Sequence, residues 1–293
     1  MVHGFPDGVI DDVNGRRYEG PRLRKRVKSP RVARQLLPGQ SKALLSELHI
    51  LTRDGDLNAD SLRKLKQVNH LIELLRPAMD DVMSRFADPI IIDCGAGKSY
   101  LGFVLYELFL KEAGKGRVIA VESRPELSEA AAERARRLGY ERMEFVTAAL
   151  DQAGDALPAR VHLVTALHAC DTATDDALLL AMARNADHVA VVPCCQAEVA
   201  RQLKEAHGEL GALYEHPIHR REFGAHLTNV VRALALEARG YSVTVTELVG
   251  WEHSLKNELI LGKKVRGASA GAQAKLDALL AQTGVRPKIV ARG

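Results

Sequence analysis

The chain has 293 residues, of which 46% are hydrophobic, and a formal net charge of +4. That length allows one sizeable α/β core with an extension. No apolar run approaches the roughly 20 residues that span a bilayer, and the N-terminus lacks the basic and apolar regions of a secretory signal. Four cysteines, two of them adjacent, do not form the pattern of a disulfide framework. We therefore expect a reducing, cytoplasmic setting.

A basic segment, RRYEGPRLRKRVKSPRVAR, occupies residues 16–34 and is interrupted by Pro21 and Pro30. Such an arm can neutralise phosphates and release counterions from nucleic acid. Its central residues Arg24, Lys25 and Arg26 are the predicted substrate contacts. The alternative is a solvated tail, or a strap packed against the domain.

Apolar residues at helical spacing predict two N-terminal helices, over residues 40–52 and 60–85. Asn58 or Asp60 would cap the second helix, and Pro77 would kink or break it. We expect these helices to pack beside a sheet. The predicted organisation is a basic, partly disordered arm (1–38), N-terminal helices (39–87), an α/β domain (88–265) and a C-terminal tail (266–293).

Strands and helices then alternate, which is typical of a parallel sheet covered on both faces. The predicted strands span residues 90–92, 117–122, 143–148, 161–167 and 188–192, followed by a closing antiparallel pair at 241–249 and 258–263. The predicted helices begin near Leu101 and span 125–138, 174–184, 197–205, 223–239 and, in the tail, 272–280. This order predicts a Rossmann-like α/β fold with a seven-stranded, mostly parallel sheet, a terminal β-hairpin and an N-terminal helical extension.

A glycine turn, Asp93 to Gly97, separates the first strand from its helix and is the predicted ligand site. A phosphate-binding loop is disfavoured because Ile92 stands where that motif needs a glycine. A dinucleotide site is disfavoured because Tyr100 stands where a small residue is needed. S-adenosylmethionine (SAM) has no pyrophosphate, so this shorter D-x-G-x-G turn suffices for it.

Glu122 ends the second strand, where an acid can accept hydrogen bonds from both hydroxyls of a ribose. It supports an adenosine cofactor, although NAD and SAM sites share this device. The predicted cofactor-binding residues are Asp93, Gly95, Ala96, Gly97, Glu122, Ser123 and His168.

Three clusters at strand ends, DCGAGKS, LHACDTATD and VPCCQ, carry a family resemblance. Together they resemble the class I methyltransferase family that includes the eukaryotic tRNA acceptor-stem 2′-O-methyltransferase and the methyltransferase region of the glutathione-S-transferase-C-terminal-domain-containing protein. The family patterns D-x-G-x-G-K-G, H-x-C-G-x-x-T-D and C-C match Asp93–Ser99, His168–Asp175 and Cys194-Cys195. The resemblance covers about residues 64–263. Ser99 and Asp171 stand where the family has glycine, and an extra acid near the reacting methyl leaves room for a different substrate.

Methyl transfer needs an aligned nucleophile and, for a hydroxyl, removal of a proton. His168 and Asp171 follow the fourth strand, where the acceptor is held in such enzymes. We predict that one of them positions or deprotonates the acceptor. The alternative for His168 is a structural hydrogen bond within the loop.

Three hypotheses remain open for Cys194 and Cys195. One of them could attack C6 of a cytosine beside the acid Asp171. They could bind zinc with His168 and Cys170, although no C-x-x-C spacing supports this. The hypothesis that we favour is that both are small apolar side chains that shape the acceptor pocket.

Two further stretches are candidate substrate contacts. Residues 214–221, YEHPIHRR, could grip phosphates or form a solvated loop. Lys256 and Asn257 lie in the predicted hairpin turn, where the resembled family has a Lys-Asn pair, so they are predicted to line the pocket.

The resemblance implies a SAM-dependent methyltransferase, and with the basic arm it implies an RNA substrate, tRNA or rRNA, methylated on a ribose hydroxyl or a base. One alternative is methylation of a protein or small molecule. Another is a nucleic-acid-binding protein with a vestigial SAM fold, against which the intact Asp93, Gly95, Gly97 and Glu122 argue.

Overall fold

The computed structural model describes residues 35–37, 39–52, 54–167, 169–194, 196–204, 210–248, 258–265 and 267–292. These residues belong to one compact unit. None of the helices within the described ranges is long and apolar enough to cross a membrane. The predicted boundaries at residues 38, 87 and 265 stay predictions.

A seven-stranded sheet with the order β3-β2-β1-β4-β5-β7-β6 forms the centre of the fold. The strands are β1 (Ile90–Cys94), β2 (Arg117–Glu122), β3 (Met143–Thr147), β4 (Leu163–Leu167), β5 (His188–Val192), β6 (Tyr241–Glu247) and β7 (Glu258–Lys264). The first five are parallel, and β7 joins β5 antiparallel and pairs with β6. The predicted fold class, with its terminal antiparallel pair, is confirmed.

Two hydrophobic cores cover the sheet, one on each face. Alternation along β1 explains the division: Ile90 and Ile92 belong to one core, and Ile91 belongs to the other. Successive side chains of a strand point to opposite faces, so an unbroken run of β-branched residues supplies both cores at once.

The N-terminal helices are α1 (Lys42–Glu47) and α2 (Ala59–Arg85). Ile72 and Leu75 of α2 share a core with Ile91, so the predicted packing beside the sheet is confirmed. The backbone N–H of Ser61 donates to Oδ1 of Asn58 at 2.8 Å, which identifies the N-cap.

Two details of this prediction were wrong. The first helix is shorter than residues 40–52, since it ends before His49, whose φ is +54°. Of the two alternatives for Pro77, the break is wrong, because Pro77 lies inside a continuous helix of 27 residues, and the kink stays a prediction.

The remaining helices flank the parallel strands and follow the hairpin. They are α3 (Tyr100–Leu105), continued by a π-helical turn at Tyr106–Leu110, then α4 (Pro125–Leu138), α5 (Thr172–Ala183), α6 (Ala197–Gln202), α7 (Pro217–Ala238), α8 (Ala270–Thr283) and α9 (Lys288–Ala291). The predicted α4 is confirmed at both ends. The tail holds two helices where one was predicted.

Helix α7 begins six residues before the predicted position 223. Pro217 stands in its first turn, where a fixed φ suits the helix and the missing N–H costs nothing. The stretch 214–221 is therefore largely the start of a helix, which rules out the solvated loop of the two alternatives, and the contact with phosphates stays a prediction.

Candidate active site

The carboxyl ends of β1, β2, β4 and β5 lie along one edge of the sheet, because these strands are parallel and adjacent. Of the predicted site residues, the structure describes Asp93, Gly95, Ala96, Gly97, Glu122, Ser123, Asp171 and Cys194. His168, Cys195, Lys256, Asn257, Arg24, Lys25 and Arg26 lie outside the described residues.

The glycine turn after β1 has two glycines with positive φ, Gly95 at +60° and Gly97 at +57°. Other residues rarely adopt this conformation. Between them, the N–H of Ala96 donates to the carbonyl of Val121 at 3.0 Å, which joins the turn to β2. A Cβ on Gly95 would lie 3.4 Å from Cβ of Ala169, so the loop after β4 packs against this turn.

Asp93 is buried at the start of this turn, with 2% of its surface exposed. Its Oδ2 accepts from the Ser99 hydroxyl and from the Gly102 N–H, both at 3.2 Å, and its Oδ1 accepts from the Thr165 hydroxyl at 3.3 Å. Burial raises the pKa of Asp93 to about 6, although these three hydrogen bonds oppose the shift. The carboxyl therefore ties the turn to α3 and β4 from inside the protein.

Ser99 stands where the resembled family has glycine, and the structure gives a physical reason for that glycine. Ser99 is in the left-handed region, with φ +54° and ψ +36°, and is fully buried. Its hydroxyl bonds to Asp93. A Cβ on Gly102 would come within 2.5 Å of this hydroxyl oxygen, so Gly102 leaves the room that Ser99 occupies. This contact was not predicted from the sequence. The only signal for it was that Ser99 stands where the resembled family has glycine.

Glu122 lies at the end of β2 and faces the same turn. Its Oε2 accepts from the Gly97 N–H at 2.7 Å, and its Oε1 accepts from the Arg124 N–H at 3.0 Å and from Arg124 Nε at 2.9 Å. The Ser123 hydroxyl also points to Oε1, at 3.4 Å. Burial acts to raise the pKa of Glu122, but the bonds from Arg124 and the backbone outweigh it, so the pKa is lowered. The carboxylate is ionised at neutral pH.

Arg124 is a second residue that sequence analysis missed. Its guanidinium is exposed and pairs with the buried Glu122 carboxylate. The available signal was its position two residues after the acid.

Asp171 follows β4 with φ +48°, which explains why a glycine is usual at this position in the resembled family. Its Oδ1 accepts from the N–H groups of Ala197 and Glu198, at 2.9 and 3.1 Å, and its Oδ2 lies 3.2 Å from Nη2 of Arg201. The Asp171 carboxylate therefore binds the first turn of α6, and it ties the loop after β4 to the segment after β5.

A buried ion pair contacts the loop after β4 and helps to hold it in place. Arg232 of α7 and Asp175 of α5 are 0% and 1% exposed at their side chains, and Arg232 Nε lies 2.8 Å from Asp175 Oδ1. Nη2 of Arg232 donates to Oδ2 of Asp175 at 3.0 Å and to the carbonyl of Asp171 at 2.8 Å.

Cys170 and Cys194 follow β4 and β5, and their sulfurs lie 3.5 Å apart. The hypothesis of a zinc site also needs His168 and Cys195, which lie outside the described residues. Among the residues that are described, no group of three side chains could hold a metal ion.

The predicted cofactor-binding residues Gly97 and Glu122 border an open space. A Cβ on Gly97 would have Nη2 of Arg124 as its nearest neighbour, at 4.0 Å, so the space beside this glycine is open. An ionised carboxylate borders that space and can accept hydrogen bonds from ribose hydroxyls. That Glu122 binds the ribose of the cofactor stays a prediction.

Several solved structures with a similar fold are methyltransferases. An rRNA methylase from Streptococcus thermophilus is 14% identical, with 67% of this chain and 96% of that chain covered and a TM-score of 0.44. A precorrin-6y C5,15-methyltransferase from Geobacter metallireducens is 16% identical, with 66% and 88% covered and a TM-score of 0.41. A methyltransferase from Podospora anserina, bound to S-adenosylhomocysteine (SAH), is 12% identical, with 76% and 88% covered and a TM-score of 0.44.

No curated protein sequence matches the chain significantly. Residues 63–202, however, match the family model described as a methyltransferase domain. This segment contains the glycine turn, Glu122, and the loops after β4 and β5. Over residues 63–202 the chain is therefore similar to a methyltransferase domain, and S-adenosyl-L-methionine is its cofactor.

Proposed function

We propose that the protein transfers a methyl group from SAM to RNA, either tRNA or rRNA, at a ribose hydroxyl or a base. The observation that carries the RNA assignment is the basic segment 16–34, which precedes the methyltransferase domain in the same chain. The resemblance to a family that includes a tRNA 2′-O-methyltransferase agrees with it.

On the cofactor side, Glu122 would accept hydrogen bonds from the ribose hydroxyls, in competition with the exposed Arg124 guanidinium. Asp93 would hold the glycine turn in shape through Ser99 and Gly102. The bound cofactor supplies an electrophilic methyl group, so the protein has to position the acceptor and, for a hydroxyl, take its proton.

On the acceptor side, we assign the proton-accepting role to His168 and a positioning role to Asp171. Both oxygens of Asp171 are engaged by α6 and Arg201, which supports positioning over proton transfer. Cys194 and Cys195 would shape the pocket, and Lys256 and Asn257 would line it.

Calorimetric titration with SAH tests the cofactor site. Replacing Glu122 with Gln removes an ionised acceptor, and a hydrogen bond to a charged group is worth about 1.5–3 kcal/mol, so we expect SAH to bind roughly ten- to a hundredfold more weakly. The matched control is Glu129→Gln, at an exposed glutamate of α4, which should bind as the wild type does. Equal binding by Glu122→Gln and wild type would contradict the assignment of Glu122.

Transfer of labelled methyl groups from SAM to bulk tRNA and rRNA tests the substrate. Nucleoside mass spectrometry of the product would distinguish a ribose-methylated nucleoside from a base-methylated one. The His168→Ala variant should retain SAH binding and lose most of the transfer. Label found only in protein or small molecules would overturn the RNA proposal, and absence of SAH binding would indicate a vestigial fold.

A further inference from the structure

Two cysteines meet at the edge of the sheet although 24 residues separate them in the chain. Cys170 is the third residue after β4, and Cys194 is the second residue after β5. These strands are parallel neighbours, with Leu167 paired to Val192. The sheet therefore brings the two loops together and sets the sulfurs 3.5 Å apart.

Both thiols are accessible to a small oxidant. Cys170 is exposed and Cys194 is half-buried. The third described cysteine, Cys94, is fully buried, and burial raises the pKa of its thiol well above the ordinary value. Thiolates, not thiols, react with oxidants, so Cys94 serves as an internal control of low reactivity.

The distance between the two sulfurs is short enough for a bond to form after a small movement. A disulfide bond needs its sulfurs at about 2.05 Å, so they must approach by about 1.5 Å. Cys170 and Cys194 lie in loops beyond the strand ends, where a shift of this size leaves the strand pairing intact.

The same loop touches the proposed cofactor site. Ala169 packs against the glycine turn at Gly95, and Asp171 binds the first turn of α6. Cys170 stands between these two anchored residues. Drawing its sulfur towards Cys194 would shift Ala169 relative to the turn that holds the cofactor.

We propose that Cys170 and Cys194 are a redox modification site: a peroxide converts them to a disulfide, and this bond weakens cofactor binding. The second clause rests on the proposed function, and the first does not. The Cys170 thiolate attacks the peroxide, the O–O bond breaks, and Cys170 becomes a sulfenic acid while one water forms. The Cys194 thiolate then attacks the sulfenic sulfur, the S–S bond forms, and the hydroxide leaves as a second water. Two thiols have lost two electrons and two protons, and the peroxide has been reduced.

Mass spectrometry tests the bond directly. The full-length protein is treated with hydrogen peroxide, its remaining thiols are alkylated, and it is digested with trypsin. Cleavage after Arg160, Arg184 and Arg201 places Cys170 on peptide 161–184, and both Cys194 and Cys195 on peptide 185–201. We expect these two peptides to be joined, with Cys94 alkylated only after denaturation.

Serine variants identify the partner. The crosslink should disappear in Cys170→Ser and in Cys194→Ser, and it should persist in Cys195→Ser. A bond between Cys194 and Cys195, a crosslink that survives Cys194→Ser, or oxidation to sulfinic acid without any crosslink would overturn the proposal.

Titration with SAH tests the consequence. We expect the oxidised wild type to bind SAH several-fold more weakly than its reduced form, and dithiothreitol to restore binding. The Cys170→Ser variant, compared with its own untreated form, should not respond to peroxide. Equal affinity of oxidised and reduced wild type would overturn the coupling to the cofactor. Failure of the proposed function would look different, since the reduced protein itself would then not bind SAH.

Discussion

Asp93 illustrates how one buried carboxyl organises a binding turn. Its carboxyl oxygens accept hydrogen bonds from three protein donors: the Ser99 hydroxyl, the Gly102 N–H and the Thr165 hydroxyl. The sequence predicts Asp93 as a site residue from its place before two glycines. Its partners could not be predicted, because Thr165 comes from a strand 72 residues away.

The raised pKa of Asp93 predicts a pH-dependent stability. The folded pKa is about 6 and the ordinary value is 3.8, so the folded state holds a proton between these pH values that the unfolded state has lost. The contribution of Asp93 to the unfolding free energy therefore falls as pH rises from about 4 to 6. Asparagine has the same shape and does not ionise. The unfolding free energy of Asp93→Asn, relative to that of the wild type, should therefore rise by about 3 kcal/mol between pH 4 and pH 7.

Urea unfolding at a series of pH values measures this difference. Asp80→Asn, at an exposed aspartate of α2, is the control and should give a curve parallel to that of the wild type. A parallel curve for Asp93→Asn would contradict the prediction.

Ser99 provides a test of local strain. Ser99→Ala should lose about 1–2 kcal/mol of stability, since it removes a buried hydrogen bond to a carboxyl group and keeps the left-handed backbone. Ser99→Gly loses the same bond but relieves the backbone, so it should be about 1 kcal/mol more stable than Ser99→Ala. Thermal unfolding of the two variants side by side measures this, and the reverse order of stability would refute the strain argument.

The helices behind the site were predicted with unequal success. Helix α4 was found at both ends because Pro125 and Gly139 mark its limits in the sequence. The predicted start of helix α7 was too late, because the residues before it are rich in histidine and arginine, as solvated loops are. Its role in the site was not predictable at all, because Arg232 reaches Asp175 and the Asp171 carbonyl only in the folded chain.

The ion pair between α5 and α7 predicts a non-additive loss of stability. Arg232→Met leaves Asp175 buried without its counter-charge and should cost about 3–5 kcal/mol. Adding Asp175→Leu removes the stranded charge, so the double variant should be more stable than Arg232→Met alone. Denaturant titration of the three proteins measures the coupling. A double variant as unstable as the sum of the single ones would contradict this account.

At the scale of the whole molecule, the proposed action on RNA rests on the basic segment 16–34, which precedes the methyltransferase domain in the sequence. Replacing Arg24, Lys25 and Arg26 with alanine in one variant should weaken RNA binding, because three positive charges are lost. It should also make the slope of log affinity against log salt shallower by about 2 to 3, because each phosphate contact contributes about 0.7 to 0.9 to the slope. Fluorescence anisotropy with tRNA at several salt concentrations measures this. An unchanged slope would indicate that these three residues do not contact phosphate.

The sequence by itself determined the order of the strands and helices, the glycine turn and the acid at the tip of the second strand. These features are local, since periodicity, β-branched runs and positive-φ glycines depend on neighbouring residues. The tertiary structure alone decided that Thr165 donates to Asp93, that Asp171 binds α6, and that Cys170 meets Cys194. Each of these contacts joins residues that are far apart in the sequence, and the pairing of the parallel strands brings them together.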